Sequence, residues 1–271
     1  MIRVSSPNNP RVREALRLMA SSHERRRTAR CVLEGAHLVL VYRATFGLPD
    51  TIIATDEALA RDEVRALVAG DADARTIVVP ASLLAEHSAM PADIGVLAVV
   101  PAPRALAPRD DAGFTLLLED VQDPGNVGSI VRTAAAAGVD QVLLSKTCAF
   151  AWSPKVLRAG QGAHFLTRVV EDVDLVAWAT SFRAARGRVF ATVVDGAPSL
   201  YDADFRGRIA LAIGSEGRGV SPVLQHAADA RITIPMASGS ESLNAGAATA
   251  VVLFEARRQR AAAPAARDRR R

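Results

Sequence analysis

Three polar segments interrupt the second half of the sequence, and each directly follows a short apolar run that is typical of a buried strand. They cover residues 119–132 (EDVQDPGNVGSIVR), 212–222 (AIGSEGRGVSP) and 232–248 (ITIPMASGSESLNAGAA). They contain glycines that let a backbone approach a ligand, and a helix start that can bind an anion. Ligands of parallel α/β sheets bind beyond the carboxyl ends of the strands, so we expect these segments to meet at one site.

The first segment contains Asn126 and Arg132, with the predicted start of a helix at Ser129 between them. If the Asp-Pro-Gly-Asn turn folds back, both side chains could face one pocket. Arg132 follows Ile130 and Val131, and a guanidinium group on a mostly apolar helix needs an acidic partner or a phosphate. The alternative is structural, because Asp-Pro-Gly-Asn is a common turn and asparagine often caps a helix.

The other two segments contain Glu216 and Ser242. The glycines around Glu216 do not have the spacing of a dinucleotide-binding loop, a phosphate-binding loop or a nucleophile elbow, which argues against a nucleotide-dependent oxidoreductase. This loop therefore either binds a ligand or is a flexible loop with Glu216 in water. Ser242 either caps the last helix or helps the free N–H groups of that helix start to bind a carboxylate or phosphate.

Strands and helices alternate around these segments. The predicted strands of the second half are residues 114–119, 139–144, 167–170, 188–193, 209–213 and 231–234. The predicted helices there are residues 129–137, 154–159, 175–185 and 243–260. This alternation predicts an α/β fold with a mostly parallel sheet that is covered on both faces.

The first part of the chain is predicted to form a smaller α/β domain. Its predicted strands are residues 31–34, 51–54, 76–79 and 95–100, and its predicted helices are residues 10–30, 35–46, 57–68 and 81–87. Three prolines then mark a linker, because proline interrupts helices and central strands. The predicted division is an N-terminal domain at 1–100, a linker at 101–111, a second domain at 112–260 and a disordered basic tail at 261–271.

Charge and composition are compatible with a polyanionic partner. The formal charge is +4, and arginines gather near both ends of the chain. Arginine suits phosphate recognition because its planar group can bond two oxygens at once. Aromatic residues make up 4% of the chain, so stacking on bases is not expected to be the main means of binding.

Several other kinds of site are not expected from the composition. Cys31 and Cys148 lie far apart and form no CxxC pair, which predicts reduced thiols in a cytoplasmic protein. The histidines are scattered without metal-ligand spacing, so no metal is expected. No apolar run is long enough to span a bilayer, and the start has no apolar signal-peptide core.

Three strings, taken in order, carry a resemblance to a known family. DPGNVGSIVRTA, IGSEGRG and IPMASGSESLNAGAATAVVLFEARRQ resemble the sequence motifs of the SpoU (TrmH) family of RNA 2′-O-ribose methyltransferases, within the SPOUT superfamily. SPNNPRV, VLEGAHLV and GVLAVV resemble the RNA substrate-binding domain that is often joined to this family and has a fold like that of a ribosomal protein. The resemblance covers nearly the whole chain apart from the tail.

The resemblance implies properties that periodicity does not show. It implies an α/β trefoil knot in the second domain, S-adenosyl-L-methionine (AdoMet) as cofactor, a homodimer, and RNA as partner. By position, the residues implied to bind the cofactor are Thr192, Gly214, Ile234 and Leu243. The residues implied to form the catalytic site are Asn126, Arg132, Glu216, Ser242 and Asn244. Ala245 and Gly246 depart from the usual family pattern, which we interpret as a change in packing.

Methyl transfer to a ribose hydroxyl requires alignment of the reacting atoms and relief of the charge that develops on oxygen. The family often gives Arg132 the role of base, yet a guanidinium group seldom gives up its proton. Arg132 therefore either binds a neighbouring phosphate and stabilises the alkoxide, or acts as base in a dry pocket beside an RNA phosphate. Asn126 and Asn244 would orient the hydroxyl and the arginine. Glu216 would anchor its loop or pair with Arg132.

The predicted function is thus AdoMet-dependent methylation of a ribose 2′-hydroxyl. Ribosomal RNA is favoured over transfer RNA, because the transfer-RNA members of the family often lack the extra domain. The alternatives are a transfer-RNA 2′-O-methyltransferase and a non-catalytic RNA-binding or ribosome assembly factor. The complete set of polar residues argues against a non-catalytic factor, because a decayed enzyme is expected to lose some of them.

Overall fold

Two compact units make up the computed structural model of the chain. The first unit comprises Met1–Arg104 and Phe150–Phe165, and the second comprises Ala105–Ala149 and Leu166–Arg271. The structure describes residues 1–69, 75–86, 95–102, 106–238 and 242–262. His87, part of the predicted linker and most of the predicted tail lie outside these residues.

The first unit contains a five-stranded mixed sheet. Its strands are β1 (Ile2–Arg3), β2 (Arg30–Glu34), β3 (Thr51–Ala54), β4 (Thr76–Val78) and β5 (Val96–Pro101). They lie in the order β1-β4-β3-β5-β2, and β5 runs antiparallel to both of its neighbours. The helices between these strands are α1 (Pro10–Ala20), α2 (Ser22–Thr28), α3 (Ala36–Phe46), α4 (Asp56–Leu59), α5 (Asp62–Val68) and α6 (Ala81–Ala85). The short strand β1 was not predicted.

The second unit contains a six-stranded sheet in which all neighbouring strands are parallel. Its strands are β6 (Phe114–Leu118), β7 (Gln141–Leu144), β8 (Arg168–Val170), β9 (Arg188–Val193), β10 (Ile209–Ile213) and β11 (Ala230–Thr233). They lie in the order β11-β9-β10-β6-β7-β8. The helices after β6 along the chain are α7 (Pro124–Ala137), α8 (Pro154–Gly160), α9 (Leu175–Ala184), α10 (Pro222–Ala227) and α11 (Ala245–Ala262), of which α8 belongs to the first unit. The helix α10 was not predicted.

The middle of the second sheet is mostly apolar. Leu116 and Leu117 of β6 and Leu211 and Ala212 of β10 are completely buried. Such continuous apolar runs are typical of parallel strands that are covered on both faces. The sequence therefore predicted these strands closely, and they provide the rigid base from which the polar segments extend.

The predicted basic helix over residues 10–30 is wrong at its middle. The backbone of Ser21 is extended, and its hydroxyl caps α2 by accepting a hydrogen bond from the Glu24 amide at 3.2 Å. Arg25 then turns back, is buried, and donates hydrogen bonds to the carbonyls of Leu18 and Met19 at the end of α1. Arg25 is thus a structural residue, because it satisfies carbonyl groups that a helix end leaves without partners. Likewise, the helix predicted over residues 57–68 is divided into α4 and α5.

Phe150–Phe165, which carries α8, belongs to the first unit, although the sequence placed these residues in the second domain. Within that unit, Arg158 forms an ion pair with Glu34, whose side chain is 3% exposed. Burial raises the pKa of Glu34, and the positive charge of Arg158 opposes this effect. His164 of the same segment is also buried, and its ring packs edge-on against Trp152. These contacts depend on the folded chain, and sequence periodicity gives no indication of them.

His164 generates a prediction about stability and pH. Burial lowers the pKa of His164 to about 4, whereas a histidine in an unfolded chain titrates near about 6.5. Because the unfolded chain takes up the proton first as the pH falls, stability is fully present above about pH 6.5 and is lost progressively down to about pH 4. The expected loss is on the order of 3 kcal/mol.

Urea unfolding of the wild type and of His164→Leu at several pH values measures this loss. A Trp178→Phe background leaves Trp152, in the first unit, as the reporting fluorophore. We expect the wild type to lose more free energy of unfolding than the variant as the pH is lowered. If the free energies of unfolding of the two proteins fall in parallel as the pH is lowered, the pKa of His164 is not lowered by folding.

Candidate functional site

The three polar segments lie at the edge of the second sheet that is formed by the carboxyl ends of its strands. They lie near the point where the order of the strands reverses. From β6 the chain continues to β7 on one side, whereas β10, β9 and β11 lie on the other side of β6. Such a switch point leaves a crevice beyond the carboxyl ends of the strands, where ligands of α/β sheets bind. Each polar segment follows a strand that ends at this edge, as the sequence predicted.

The helix that follows β6 begins earlier than predicted. The sequence placed a turn at Asp-Pro-Gly-Asn and a helix at 129–137, but α7 already starts at Pro124. Asp123 caps the helix by accepting a hydrogen bond from the Asn126 amide at 2.8 Å. Proline suits the first turn because the N–H group that it lacks would have no partner there. Asn126 therefore lies in the first turn of α7, where the helix backbone fixes the direction of its side chain.

One side-chain amide joins all three segments. Nδ2 of Asn126 donates a hydrogen bond to Oε1 of Glu216, in the loop after β10. Oδ1 of Asn126 accepts a hydrogen bond from Nδ2 of Asn244 at 3.1 Å. We call these three residues the Asn126 cluster. It brings together three of the five predicted catalytic residues, and Glu216 contacts Asn126 rather than Arg132.

Asn244 also starts the last helix. Its Oδ1 accepts hydrogen bonds from the amides of Gly246 at 2.9 Å and Ala247 at 3.3 Å, so Asn244 rather than Ser242 caps α11. The helix accordingly begins later than the predicted residue 243. A Cβ at Gly246 would lie 3.1 Å from Oγ of Ser129 on α7. The glycine at this position therefore allows α11 to approach α7 closely, in agreement with the packing interpretation.

Arg132 lies outside the Asn126 cluster. It follows Asn126 by six residues on the same helix, which places the two side chains about 120° apart around the helix axis. The side chain of Arg132 is exposed, and it makes no hydrogen bond or ion pair with any residue that the structure describes. The acidic partner that the sequence suggested is therefore not among the described residues. The guanidinium group remains available to bind a phosphate.

A cleft of about 260 Å³ lies beside the Asn126 cluster. All four residues predicted to bind a cofactor line it, namely Thr192, Gly214, Ile234 and Leu243. Two of the predicted catalytic residues, Glu216 and Ser242, also line it. The other three are not lining residues, namely Asn126, Arg132 and Asn244. The cleft is thus a ligand pocket that meets the Asn126 cluster at Glu216.

The wall of the cleft is formed mostly by residues with apolar side chains and by glycines. Val194 and Met236 contribute apolar surface next to Ile234. The hydroxyl of Thr192 is already engaged, because it donates a hydrogen bond to the carbonyl of Ala212 at 2.9 Å. An apolar pocket with a few fixed polar groups is the usual form of a site for a small organic molecule.

Two residues that the sequence did not indicate hold the loop after β10 in place. Oε2 and Oε1 of Glu119 accept hydrogen bonds from the backbone N–H and the hydroxyl of Ser221, each at 2.7 Å. Ser221 in turn caps α10 by accepting from the Leu224 amide at 3.2 Å. The sequence did contain a signal for Glu119, namely a carboxylate directly after an apolar strand. Glu119 follows β6 at the carboxyl end of the sheet, where the polar segments meet.

Neither a metal-binding cluster nor a membrane-spanning helix occurs among the residues that the structure describes. No three of their His, Cys, Asp and Glu side chains come together in an arrangement that could hold a metal ion. None of the helices formed by these residues has the length and apolar character needed to cross a membrane.

Comparison with known sequences identifies a family with these features. A family model described as the SpoU rRNA methylase family matches residues 113–254. A Synechocystis protein named as an uncharacterized tRNA/rRNA methyltransferase is 31% identical to this chain, over 96% of this chain and 95% of that protein. The Bacillus subtilis 23S rRNA (guanosine(2553)-2′-O)-methyltransferase RlmP is 28% identical, over 95% of this chain and 100% of that protein.

Comparison with solved structures gives the same result. The SpoU methyltransferase AviRb from Streptomyces viridochromogenes, in complex with the cofactor AdoMet, matches with a TM-score of 0.82 and 27% sequence identity. The match covers 94% of this chain and 100% of that protein. It confirms the α/β trefoil-knot class that the resemblance implied. The likeness of the first unit to a ribosomal-protein fold stays a prediction.

Gly214 generates a steric prediction about the loop after β10. A Cβ at Gly214 would overlap the backbone carbonyl of Gly219 and the nitrogen of Val220, and these atoms cannot move aside without opening the loop. We therefore expect Gly214→Ala to lower the free energy of unfolding of the second unit by about 2–3 kcal/mol. Urea unfolding in a Trp152→Phe background, with Trp178 as reporter, measures the change.

Gly217→Ala is the matched control in the same loop. A Cβ at Gly217 meets no atom within 4 Å, so its effect should stay within about 0.5 kcal/mol. Equal stability of the two variants would show that the close approach at Gly214 does not matter.

Proposed function

Because the chain belongs to the SpoU rRNA methylase family, we propose that it transfers the methyl group of AdoMet to a ribose 2′-hydroxyl of ribosomal RNA. The observation that carries this proposal is the Asn126 cluster beside the cleft, formed by Asn126, Glu216 and Asn244. RlmP is by name a 23S rRNA 2′-O-methyltransferase and is similar over nearly the whole chain. This similarity supports ribosomal RNA as the substrate class.

The residues that line the cleft fit AdoMet. Val194, Ile234 and Leu243 offer apolar surface for an adenosine. Gly214, directly after β10, lines the cleft without a side chain, and backbone groups can form hydrogen bonds with a base and a ribose. We therefore assign the cofactor site to these residues together with Thr192. When bound, AdoMet supplies a methyl group on a sulfonium, which is a strong electrophile.

Arg132 is assigned to the phosphate next to the target ribose. Its side chain is exposed and has no partner within the described ranges, and a guanidinium group in water keeps its proton. A guanidinium group can hold a phosphate through two parallel hydrogen bonds. From that position its charge would stabilise the negative charge that develops on the ribose oxygen as the hydroxyl gives its proton to the solvent. The proposal therefore selects the stabilising role over the role of base.

The Asn126 cluster is assigned the orientation of the ribose. Glu216 lines the cleft and is held there by Asn126, so its carboxylate can accept a hydrogen bond from the ribose hydroxyl. Asn244 fixes Asn126 in turn. Ser242, which lines the cleft and does not cap α11, is available to bind the same substrate. Fixed groups of this kind align reacting atoms without reorganising during the reaction.

Exposed arginines of the first unit would provide the affinity for RNA. The side chains of Arg13 and Arg17 on α1 are exposed and make no hydrogen bond or ion pair with other residues in the described ranges. Arg26 is exposed and lies over the ring of Phe150, 4.3 Å from its centre. Guanidinium groups that contact phosphates release counterions, so the affinity for RNA should fall as salt rises. The buried Arg25 does not belong to this surface.

We further propose that two copies of the chain pair and that the protein acts in the cytoplasm. Phe254 on α11 is 48% exposed, and a second copy would cover this large apolar side chain. Cys31 and Cys148 are both free thiols, which supports a reducing compartment.

Tritium transfer from labelled AdoMet to unmodified ribosomal and transfer RNA tests the proposed function. We expect label in ribosomal RNA at one position that resists alkaline cleavage, because a methylated 2′-hydroxyl cannot attack the adjacent phosphate. Arg132→Ala and Arg132→Lys should each lower transfer by about 100-fold, since lysine lacks the planar fork that binds two oxygens. Their affinity for AdoMet should stay within about threefold of the wild type, because Arg132 does not line the cleft.

Arg186→Lys is the matched control for this experiment. Arg186 is exposed and lies before β9, at the opposite edge of the sheet, so this variant should keep wild-type activity. Label in transfer RNA alone would replace the proposed substrate. Bound AdoMet with no label in any RNA would favour the binding or assembly role instead. Wild-type activity of Arg132→Lys would remove Arg132 from the mechanism.

A further inference from the structure

The tip of the loop after β10 carries an arginine that the proposed mechanism does not use. Arg218 lies between Gly217 and Gly219, its side chain is exposed, and it lines the cleft. It makes no hydrogen bond or ion pair with any other residue in the described ranges. A guanidinium group without a partner at the wall of a ligand cleft is available to an anionic group of the ligand.

Of the two charged side chains in the cleft wall, one has a hydrogen-bond partner and the other has none among the described residues. Glu216 and Arg218 are the two charged side chains among the described residues that line it. Glu216 already accepts a hydrogen bond from Asn126. Arg218 is therefore the charged side chain of this wall that makes no hydrogen bond or ion pair with another described residue. Its positive charge favours a ligand that carries a negatively charged group.

Hydrogen bonds fix both ends of the loop after β10, and Arg218 is exposed at its tip. The N–H of Gly219 donates a hydrogen bond to the carbonyl of Ser215 at 2.8 Å, which closes the loop below the tip. Gly219 has a φ of +64°, a conformation that L side chains rarely adopt. Glu119 fixes the end of the loop through Ser221. Binding a ligand at Arg218 therefore requires little ordering beyond that of its own side chain.

We propose that Arg218 binds the carboxylate of the amino-acid part of AdoMet and thereby selects ligands that carry this group. The inference rests on the proposed function, because it takes AdoMet as the ligand of the cleft. The carboxylate is the one anionic group of AdoMet, whose ammonium and sulfonium groups are cationic. A guanidinium group matches a carboxylate through two parallel hydrogen bonds. Arg218 is thus a positioning and specificity residue that does not contact the reacting atoms.

An RNA phosphate is the other anion that could reach an exposed arginine. Arg218 shares the cleft wall with the residues assigned to the cofactor, namely Thr192, Gly214, Ile234 and Leu243. Arg132, which we assign to the phosphate, does not line this cleft. The position of Arg218 therefore favours the cofactor over the RNA.

Calorimetric titration of three adenosine ligands tests this inference. AdoMet carries the carboxylate, decarboxylated AdoMet lacks only that group, and 5′-methylthioadenosine lacks the whole amino-acid part. We expect the wild type to bind AdoMet about tenfold more tightly than decarboxylated AdoMet. In Arg218→Ala this ratio should fall to about one, and in Arg218→Lys it should be intermediate, because lysine offers charge without the fork. The Kd of 5′-methylthioadenosine should change by less than about twofold, which also shows that the cleft is intact.

Arg186→Ala is the matched control and should preserve the ratio of the wild type. A ratio in Arg218→Ala equal to that of the wild type would overturn the inference. An unchanged Kd for AdoMet together with a higher KM for RNA would also overturn it, in favour of an RNA phosphate. If the wild type binds none of the three ligands, the proposed function itself fails. If it binds them without regard to the carboxylate, only the role of Arg218 fails.

Discussion

The side chain of Asn126 is the contact on which the rest of the site depends. Its amide donates to Glu216 and accepts from Asn244, so the first turn of α7 is joined to the loop after β10 and to the start of α11. A hydrogen bond contributes about 0.5–1.5 kcal/mol, and one to a charged group about 1.5–3 kcal/mol. These values suffice to select one arrangement of segments that lie far apart along the chain. The same arrangement leaves Glu216 at the wall of the cleft and Arg132 free of protein partners in the described ranges.

The Asn126 cluster can form only because β6 and β10 are neighbouring strands in the second sheet. β6 and β10 are neighbours, and Leu118 is paired with Ile213, so the two strands end at the same level. This register places the start of α7 beside the start of the loop, and it brings Glu119 within hydrogen-bonding distance of Ser221. The cleft then forms largely from residues that follow the strands, among them three glycines of the loop after β10. The knotted α/β class shared with the SpoU structures provides this arrangement.

Much of the fold follows from local sequence patterns. The strands at 51–54, 188–193 and 209–213 were predicted with the bounds that the structure shows, because continuous apolar or β-branched runs rarely form anything else in an α/β domain. The start of α7 was missed because Asp-Pro-Gly-Asn is typical of a turn, although Asp123 as cap and Pro124 in the first turn equally favour a helix. The helix over 10–30 was predicted as one because its basic residues run through it, although Ser21 and Glu24 have the Ser-x-x-Glu spacing of a helix start.

The candidate site was predicted less from patterns than from the family resemblance. The resemblance named the four residues that line the cleft and that we propose bind the cofactor, and the three residues of the Asn126 cluster, but it gave no contacts between them. The pairing of Glu216 with Asn126, the isolation of Arg132 from described partners, and the ion pair of Arg158 with Glu34 all join distant positions. Local periodicity carries no information on such contacts. Arg218 was overlooked because a single arginine in a glycine-rich loop has no pattern of its own.

The measurement that tests the central claim most directly is methyl transfer by Asn126→Asp as a function of pH, with Gln122→Glu as control. Asp keeps the shape of Asn126 but replaces the donor to Glu216 by a second carboxylate. Two adjacent carboxylates share a proton more readily at low pH, and a protonated oxygen can donate the missing hydrogen bond.

We predict a loss of about 100-fold near neutral pH and partial recovery as the pH falls. Affinity for AdoMet should remain within about threefold of the wild type, because Asn126 does not line the cleft. Gln122 is an exposed residue of the same segment, and Gln122→Glu should behave as the wild type. Wild-type turnover by Asn126→Asp at neutral pH would contradict the account, because the site would then not depend on the amide of Asn126.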